Sequence, residues 1–258
     1  LRGPKGTRVT VTIVRSGEPE PLVFEITRDE IPLLSIDAAI MARDDVGYVR
    51  VTRFNEQTSK EIQKALQKLT AEGMKRLVLD LRVNPGGYLE EAVRMADLFL
   101  DAGSGEEPRK IVYTKGRRPE FDESFVARTG EPYETLPVIV LLSNASASAS
   151  EIVAGAIQDW DRGLIVGETS FGKGLVQRQW KLGDGSALRL TIARYYTPSG
   201  RLIQREYAGK DRISYQRAAF EQEEQEGENL NQEREQQAKP DSTRPAYRTK
   251  GGRVVLGG

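Results

Sequence analysis

The chain has 258 residues, of which 38% are hydrophobic, which is enough apolar material for the core of one large domain. Its 38 basic and 38 acidic residues leave no basic excess that would favour nucleic acid or an anionic membrane as a partner. The absence of cysteine and histidine excludes disulfides, thiolate metal sites, cysteine nucleophiles and the Ser-His-Asp triad, so acid–base chemistry would need lysine, aspartate, glutamate or tyrosine.

Residues 1–30 predict a single β-hairpin. Two alternating segments, residues 8–14 and 22–26, flank a turn at residues 16–19. Two strands are only marginally stable on their own in water, so we expect the hairpin to be the end of a small β domain. The first residue is Leu1 rather than Met, and we therefore expect the chain to be an excised piece of a longer protein.

From residue 46 the pattern changes to strands that alternate with helices. Apolar runs predict the strands, and helical spacing, as in Ile62, Leu66 and Leu69, predicts the helices. This alternation favours a parallel sheet with right-handed crossovers. Residues 175–197 predict an antiparallel hairpin added to that sheet. The predicted strands are residues 46–51, 76–81, 137–142 and 163–167, and the predicted helices are residues 59–72, 88–100 and 150–160.

Residues 219–245 break the alternation of strands and helices. They are rich in glutamate and glutamine and almost free of large apolar side chains, so we expect a charged insertion that is partly helical or disordered. The predicted domain plan places the α/β core at residues 31–218, between the N-terminal hairpin and this insertion. Residues 246–258 are expected to begin a C-terminal segment.

Three unusual loops follow predicted strands, at the sheet edge where α/β proteins place their active sites. They are residues 80–87, which end in two glycines, the Ser-Ala run at residues 143–151, and residues 167–174 around Lys173. The last loop is similar to a phosphate-binding loop, but Gly174 replaces the required hydroxyl residue and residues 175–180 alternate like a strand. A nucleotide site is therefore disfavoured. In a chain without histidine, a serine nucleophile would need lysine as its base.

In combination these loops resemble those of the C-terminal processing peptidases, also called tail-specific proteases. The resemblance covers about residues 46–215 and implies that Ser148 is the nucleophile, Lys173 the general base, and Gln177 a residue associated with catalysis. It rests on residues 80–82 with 84–87, residues 146–152, residues 171–174 with Val176 and Gln177, and residues 195–200.

An oxyanion hole would complete such a site. The N–H of Ala149 lies at the start of the predicted third helix, where the helix dipole favours negative charge. The turn at Gly86 and Gly87 exposes further backbone donors. Glu151 and Asp159 match acidic positions of the family, and we expect both to be structural, as charge partners or helix-end groups.

The resemblance also implies the fold and the biological setting. We expect an α/β core with a crotonase-like sheet, and at residues 1–30 the C-terminal remnant of a PDZ domain without its peptide groove. The implied activity is that of a serine endopeptidase that cleaves proteins or peptides near nonpolar C-termini, outside the cytoplasm in the periplasm or cell envelope. No metal, cofactor, nucleic-acid partner or transmembrane segment is expected, and the oligomeric state stays open.

An alternative function is a binding protein on the same fold, because the family has noncatalytic relatives that carry apolar ligands. The presence of Ser148, Lys173 and Gln177 together argues against it, since a binding protein has no need of all three.

Overall fold

The computed structural model describes residues 1–30, 33–104, 108–206, 209 and 245–257. The chain divides into two compact units, Leu1–Leu33 and Leu34–Gly258. The predicted insertion at residues 219–245 lies outside the described residues except for Pro245.

The first unit contains the predicted hairpin. Strand β1 (Arg8–Ile13) pairs antiparallel with β2 (Leu22–Thr27), with Arg8 opposite Thr27 and Ile13 opposite Leu22. The hairpin is confirmed, but it buries little: Val23 and Phe24 are 65% and 45% exposed. Its interpretation as a piece of a PDZ domain stays a prediction.

A five-stranded sheet forms the centre of the second unit, and its four predicted parallel strands are confirmed. One further strand pairs antiparallel with the first of them and was not predicted. Its sequence, IDAAIMAR, is half-exposed and lacks clear alternation, as suits a strand at the sheet edge. In sheet order the strands are β3 (Ile36–Arg43), β4 (Val46–Val51), β5 (Arg76–Asp80), β8 (Val138–Leu142) and β9 (Leu164–Gly167).

The three predicted helices are also confirmed, as α1 (Thr58–Ala71), α2 (Leu89–Asp97) and α3 (Ala149–Asp159). In α1 the predicted apolar face, with Ile62, Leu66 and Leu69, is completely buried. Helix α2 ends three residues earlier than predicted, because Leu98, Phe99 and Leu100 are buried in the core after the helix has ended. Among the described residues, no helix has the length and apolar character that crossing a membrane requires.

The hairpin predicted at residues 175–197 forms, but it does not extend the parallel sheet as expected. Strands β10 (Leu175–Lys181) and β11 (Ala187–Tyr196) belong to a separate four-stranded sheet with β6 (Lys110–Gly116) and β7 (Ser124–Val126). The prediction was wrong because β6, which the sequence analysis did not identify, supplies an antiparallel partner for β11. The stacked rings of Tyr113 and Tyr196, with centroids 5.2 Å apart, stabilise that pairing. Near the C-terminus, β12 (Ala246–Arg248) pairs with β13 (Val254–Leu256).

Candidate active site

The three loops singled out in the sequence meet at one edge of the five-stranded sheet. Backbone hydrogen bonds join Ala147 N–H to Asn84 O over 2.9 Å and Phe171 N–H to Ser146 O over 2.9 Å. The N–H of Val83 also donates to Ser143 Oγ, 3.0 Å away. The loops after β5, β8 and β9 therefore form one hydrogen-bonded unit, as the carboxyl ends of neighbouring parallel strands allow.

The three serines of the Ser-Ala run differ in what their hydroxyls do. Ser146 and Ser150 are completely buried, and their Oγ atoms donate to Leu81 O at 2.8 Å and Asn84 O at 3.1 Å. Ser148 is partly exposed and lines a cleft of about 370 Å³. Of the three hydroxyls, only that of Ser148 is placed where a substrate could reach it.

The cleft, called the serine cleft below, lies between the N-terminal ends of α2 and α3 and the four-stranded sheet. Ser148 and Gly87 line it on one side, and Gln177 on β10 lines it on the other. Phe121 and Ile152 contribute apolar surface. The serine cleft thus places this apolar surface beside polar and charged side chains, among them Glu90, Glu123 and Arg178.

Ser148 has a strained backbone. Its φ of 56° and ψ of −110° place a residue with a side chain in a region that mostly glycine adopts. Such a conformation costs about 1–3 kcal/mol and persists only where the surrounding structure enforces it. Here the Ser148 N–H donates to Glu151 Oε2 at 2.6 Å, and Ser148 O accepts the N–H groups of Glu151 and Ile152 at 3.0 Å each. The start of α3 therefore holds the strained residue in place.

Glu151 is buried, with 3% exposure, and its carboxylate also reaches the lysine loop. It accepts hydrogen bonds from Ser170 Oγ at 2.8 Å, Gly172 N–H at 2.6 Å and Lys173 N–H at 2.9 Å. Burial raises the pKa of this carboxyl above its ordinary value, while these donors act in the opposite direction. The sequence analysis treated Glu151 as a structural group. The spacing of Ser148 and Glu151, typical of a capping box, could have signalled the contact with Ser148 but not the contacts with the lysine loop.

Lys173 is fixed through its backbone. Its N–H binds Glu151, and its carbonyl oxygen accepts the hydroxyl of the buried Tyr195. The half-buried Lys173 side chain is not part of the serine cleft lining. Within the described ranges, its ammonium forms no salt bridge and no hydrogen bond to Ser148 Oγ. The structure therefore brings Ser148 and Gln177 into one cleft, and within the described residues it shows no hydrogen bond between the side chains of Lys173 and Ser148.

The two glycines expected to donate to an oxyanion have different roles. The Gly86 N–H is already engaged, since it donates to Asn84 Oδ1 at 2.9 Å. Gly86, at φ +91°, lies so close to the serine loop that a Cβ there would be 2.6 Å from Ala147 O. Among the described residues, the N–H groups of Gly87 and Ala149 have no hydrogen-bond partner. These two, rather than Gly86, are the available donors.

The remaining expectations concern Asp159 and the nucleotide alternative. Asp159 is buried, pairs with Arg201 at 3.3 Å and accepts the Ser199 N–H at 3.0 Å, which confirms a structural charge partner. Strand β10 follows Lys173 where a phosphate-binding loop requires a helix. The Glu151 carboxylate also occupies the backbone N–H groups of Gly172 and Lys173, so this loop has no anion-binding cradle at these positions.

Comparison with known proteins places this site in a family. The model of Peptidase family S41 matches residues 45–214. A carboxy-terminal-processing protease of Bartonella bacilliformis is 45% identical over 208 residues, which cover 79% of this chain and 46% of that protein. The carboxy-terminal processing protease CtpA of Bacillus subtilis is 35% identical over 205 residues, which cover 80% of this chain and 42% of that protein.

A solved structure, that of the photosystem II D1 C-terminal processing protease, aligns with a TM-score of 0.58 and 32% identity, and covers 78% of this chain and 54% of that one. The chain spans less than half the length of the two curated relatives above. The matched residues include all three loops and the serine cleft. The α/β core described here therefore belongs to peptidase family S41.

Proposed function

We propose that the chain is the catalytic part of a serine endopeptidase in which Ser148 is the nucleophile and Lys173 the general base. The observation that carries the proposal is the arrangement at Glu151. This one carboxylate binds the backbone of the strained, cleft-lining serine and the backbone of the lysine. A serine and a lysine so placed, in a chain without histidine, can supply the nucleophile and the general base that serine-type amide hydrolysis uses.

The chemistry proceeds in two halves. Ser148 Oγ attacks the peptide carbonyl while the neutral Lys173 amine takes its proton, and the C–N bond then breaks as the resulting ammonium protonates the leaving amine. Water, deprotonated by the same lysine, hydrolyses the acyl-enzyme and restores the serine. Because the Lys173 side chain is anchored only through its backbone, its torsions can bring the amine to Ser148 for both halves.

The N–H groups of Gly87 and Ala149 stabilise the oxyanion of the tetrahedral intermediate. Ala149 begins helix α3, whose dipole favours negative charge at that end. One such donor usually contributes about 2.7–4 kcal/mol to the transition state. Gln177, across the serine cleft on β10, hydrogen-bonds the lysine amine or the substrate and orients it.

The substrates we propose are proteins or peptides cut near nonpolar C-termini, outside the cytoplasm in the periplasm or cell envelope. Relatives named as carboxy-terminal processing proteases support this assignment, as does the apolar surface that Phe121 and Ile152 contribute to the serine cleft. The hairpin of the first unit is proposed to be the end of a PDZ domain whose other strands would supply the peptide groove. The intact set of Ser148, Lys173 and Gln177 favours the peptidase over a binding protein for apolar ligands.

The test compares the wild-type chain with Ser148→Ala and Lys173→Ala in digests of an unfolded polypeptide that ends in apolar residues. Each single variant should lose cleavage by a factor of about 10⁴ or more, and the double variant should be no worse, because both changes remove the same step. Ser150→Ala is the control, since its hydroxyl is buried and bound to Asn84 O. Cleavage by Ser148→Ala at the wild-type rate would refute the proposal.

A further inference from the structure

The Glu151 carboxylate has a symmetric set of four donors. Oε2 accepts the N–H groups of Ser148 at 2.6 Å and Lys173 at 2.9 Å. Oε1 accepts Ser170 Oγ at 2.8 Å and the Gly172 N–H at 2.6 Å. The donor of the serine loop and the three donors of the lysine loop lie in separate segments of the chain, and each segment follows a different strand.

We propose that Glu151 is a positioning residue that fixes the distance between the nucleophile and the base by binding the backbone of both loops. This inference rests on the proposed function, because it assigns Ser148 and Lys173 those roles. Glu151 touches no reacting atom in this scheme. It acts through the strained backbone of Ser148 and through the backbone of Lys173, which sets the position from which the lysine side chain extends.

Three of the four donors are backbone N–H groups, which cannot turn into acceptors, so both oxygens of Glu151 must accept at these contacts. Burying a charge is costly unless hydrogen bonds compensate it, and here four donors and the N-terminal end of α3 do so. The carboxylate binds the Lys173 N–H and not its ammonium, which leaves the side chain free to approach Ser148.

The positions of the four donors predict which conservative substitution of Glu151 lowers activity more. In Glu151→Gln the amide oxygen can keep Ser148 and Lys173, while the NH₂ group faces Ser170, whose hydroxyl can turn to accept it, and the Gly172 N–H, which cannot. In Glu151→Asp the side chain is one methylene shorter, so both oxygens withdraw from all four donors. A displacement of about 1 Å at a reacting group can cost about 100-fold in rate. We expect Glu151→Asp to be more damaging than Glu151→Gln.

The experiment measures cleavage and amide hydrogen exchange for Glu151→Asp, Glu151→Gln, Ser170→Ala and the matched control Glu91→Gln. Glu91 in α2 is an equally buried glutamate, 2% exposed, whose partners are the Ser59 N–H of α1 at 2.7 Å and Arg94 at 2.5 Å rather than either loop. Glu151→Asp should lower kcat about 100-fold and Glu151→Gln about tenfold, with little change in KM. Exchange at the Ser148 and Lys173 amides should be at least tenfold faster in Glu151→Asp. Glu91→Gln should lower stability but leave kcat per folded molecule and those amides unchanged.

Ser170→Ala covers the case in which the Glu151 variants do not fold. It removes one donor to Oε1 and leaves the three backbone N–H groups bound to the Glu151 carboxylate. It should speed exchange at Gly172 and lower kcat about threefold. The inference is overturned if folded Glu151→Asp or Ser170→Ala keeps wild-type kcat and wild-type exchange at Ser148, Gly172 and Lys173. The proposed function fails by a separate result, which is cleavage that survives Ser148→Ala. In that case the exchange data still test whether Glu151 holds the two loops.

Discussion

The serine loop and the lysine loop are held in different ways. In the serine loop, residues 143–151, backbone and side chains are both fixed: Ser146 and Ser150 are buried with bound hydroxyls, and the strained Ser148 is locked at the start of α3. In the lysine loop, residues 167–174, the backbone and the Ser170 hydroxyl are fixed by Glu151 and Tyr195, while among the described residues the Lys173 ammonium has no salt-bridge partner.

Under the proposed assignment, this difference means that the nucleophile Ser148 is preorganised and the base Lys173 is not. Preorganisation of the serine loop costs strain at Ser148, and that strain is balanced by hydrogen bonds at the start of α3. The lysine keeps its freedom because its backbone, rather than its amine, is tied down. Variants that loosen the serine loop should therefore be costly, whereas the base should depend on the few contacts that anchor its backbone.

The largest effect is expected where the glycine turn supports the serine loop. Gly86→Ala places a Cβ at φ +91°, within 2.8 Å of the backbone of Ala147 and Ala149, and should cost about 2–4 kcal/mol in the free energy of unfolding and most of the activity. Gly130 has the same φ of +91° but no atom within 4 Å of a Cβ, so Gly130→Ala is the matched control. It should cost about 1 kcal/mol and leave cleavage intact. If denaturant titrations give Gly86→Ala and Gly130→Ala equal losses in the free energy of unfolding, backbone strain alone, and not crowding of the serine loop, explains the loss in Gly86→Ala.

The next effect concerns Asp80, which ends β5 just before the glycine turn. The carboxylate is buried and bound by Arg82 at 2.7 Å and the Tyr48 hydroxyl at 2.6 Å. Burial opposes its ionisation, but these hydrogen bonds together hold its pKa below the ordinary value. The stabilisation is therefore complete above pH 4 or so, the ordinary aspartate pKa, and is lost as the pH falls through the lowered pKa.

Asp80→Asn should lower the free energy of unfolding by about 1–3 kcal/mol at neutral pH and remove this acid-dependent loss. Unfolding followed by circular dichroism at several pH values checks both effects. Parallel pH curves for wild type and Asp80→Asn would rule out this account of the ion pair.

Ser146→Ala sharpens the contrast between the buried serines and Ser148. It removes a donor to Leu81 O and an acceptor for the Ser143 N–H, so the unfolding free energy should fall by about 1–3 kcal/mol. Activity per folded molecule should stay near the wild-type value. A loss of kcat as large as that of Ser148→Ala would place the nucleophile at the wrong serine.

The smallest effect is a gain in stability. Ser148→Gly should relieve a strain of about 1–3 kcal/mol, reduced by the roughly 1 kcal/mol that glycine loses in backbone entropy, so a net gain near 1 kcal/mol is expected. Cleavage should be lost. Ser148→Ala is the control, because it is equally inactive but keeps the strain and should show no gain in thermal unfolding.

The sequence predicted the parts of the fold in which local pattern and burial agree. The apolar face of α1 and the buried strands β5 and β8 have strong periodicity, and so they appeared where expected. The second sheet was missed because β6 and β7 lie in a stretch of mixed polarity, and the pairing of β6 with β11 joins residues about 80 apart in the chain, which no local pattern reports.

The candidate site also contains contacts that the sequence could not predict. Family motifs indicated Ser148, Lys173 and Gln177, and the structure places two of these in the serine cleft. No pattern could show that the Gly86 N–H is bound by Asn84, or that Glu151 reaches the lysine loop. These contacts depend on the packing of loops that are remote in sequence, which single-residue preferences do not encode.

The most direct test of the central claim is covalent labelling of the chain by a serine-directed fluorophosphonate, followed by mass spectrometry of the modified peptide. We predict that the label is found on Ser148, that Ser146 and Ser150 stay unmodified, and that Lys173→Ala slows labelling at least 100-fold without unfolding the chain. Labelling at another serine, or an unchanged rate in folded Lys173→Ala, would contradict the assignment of Ser148 as nucleophile and Lys173 as its base.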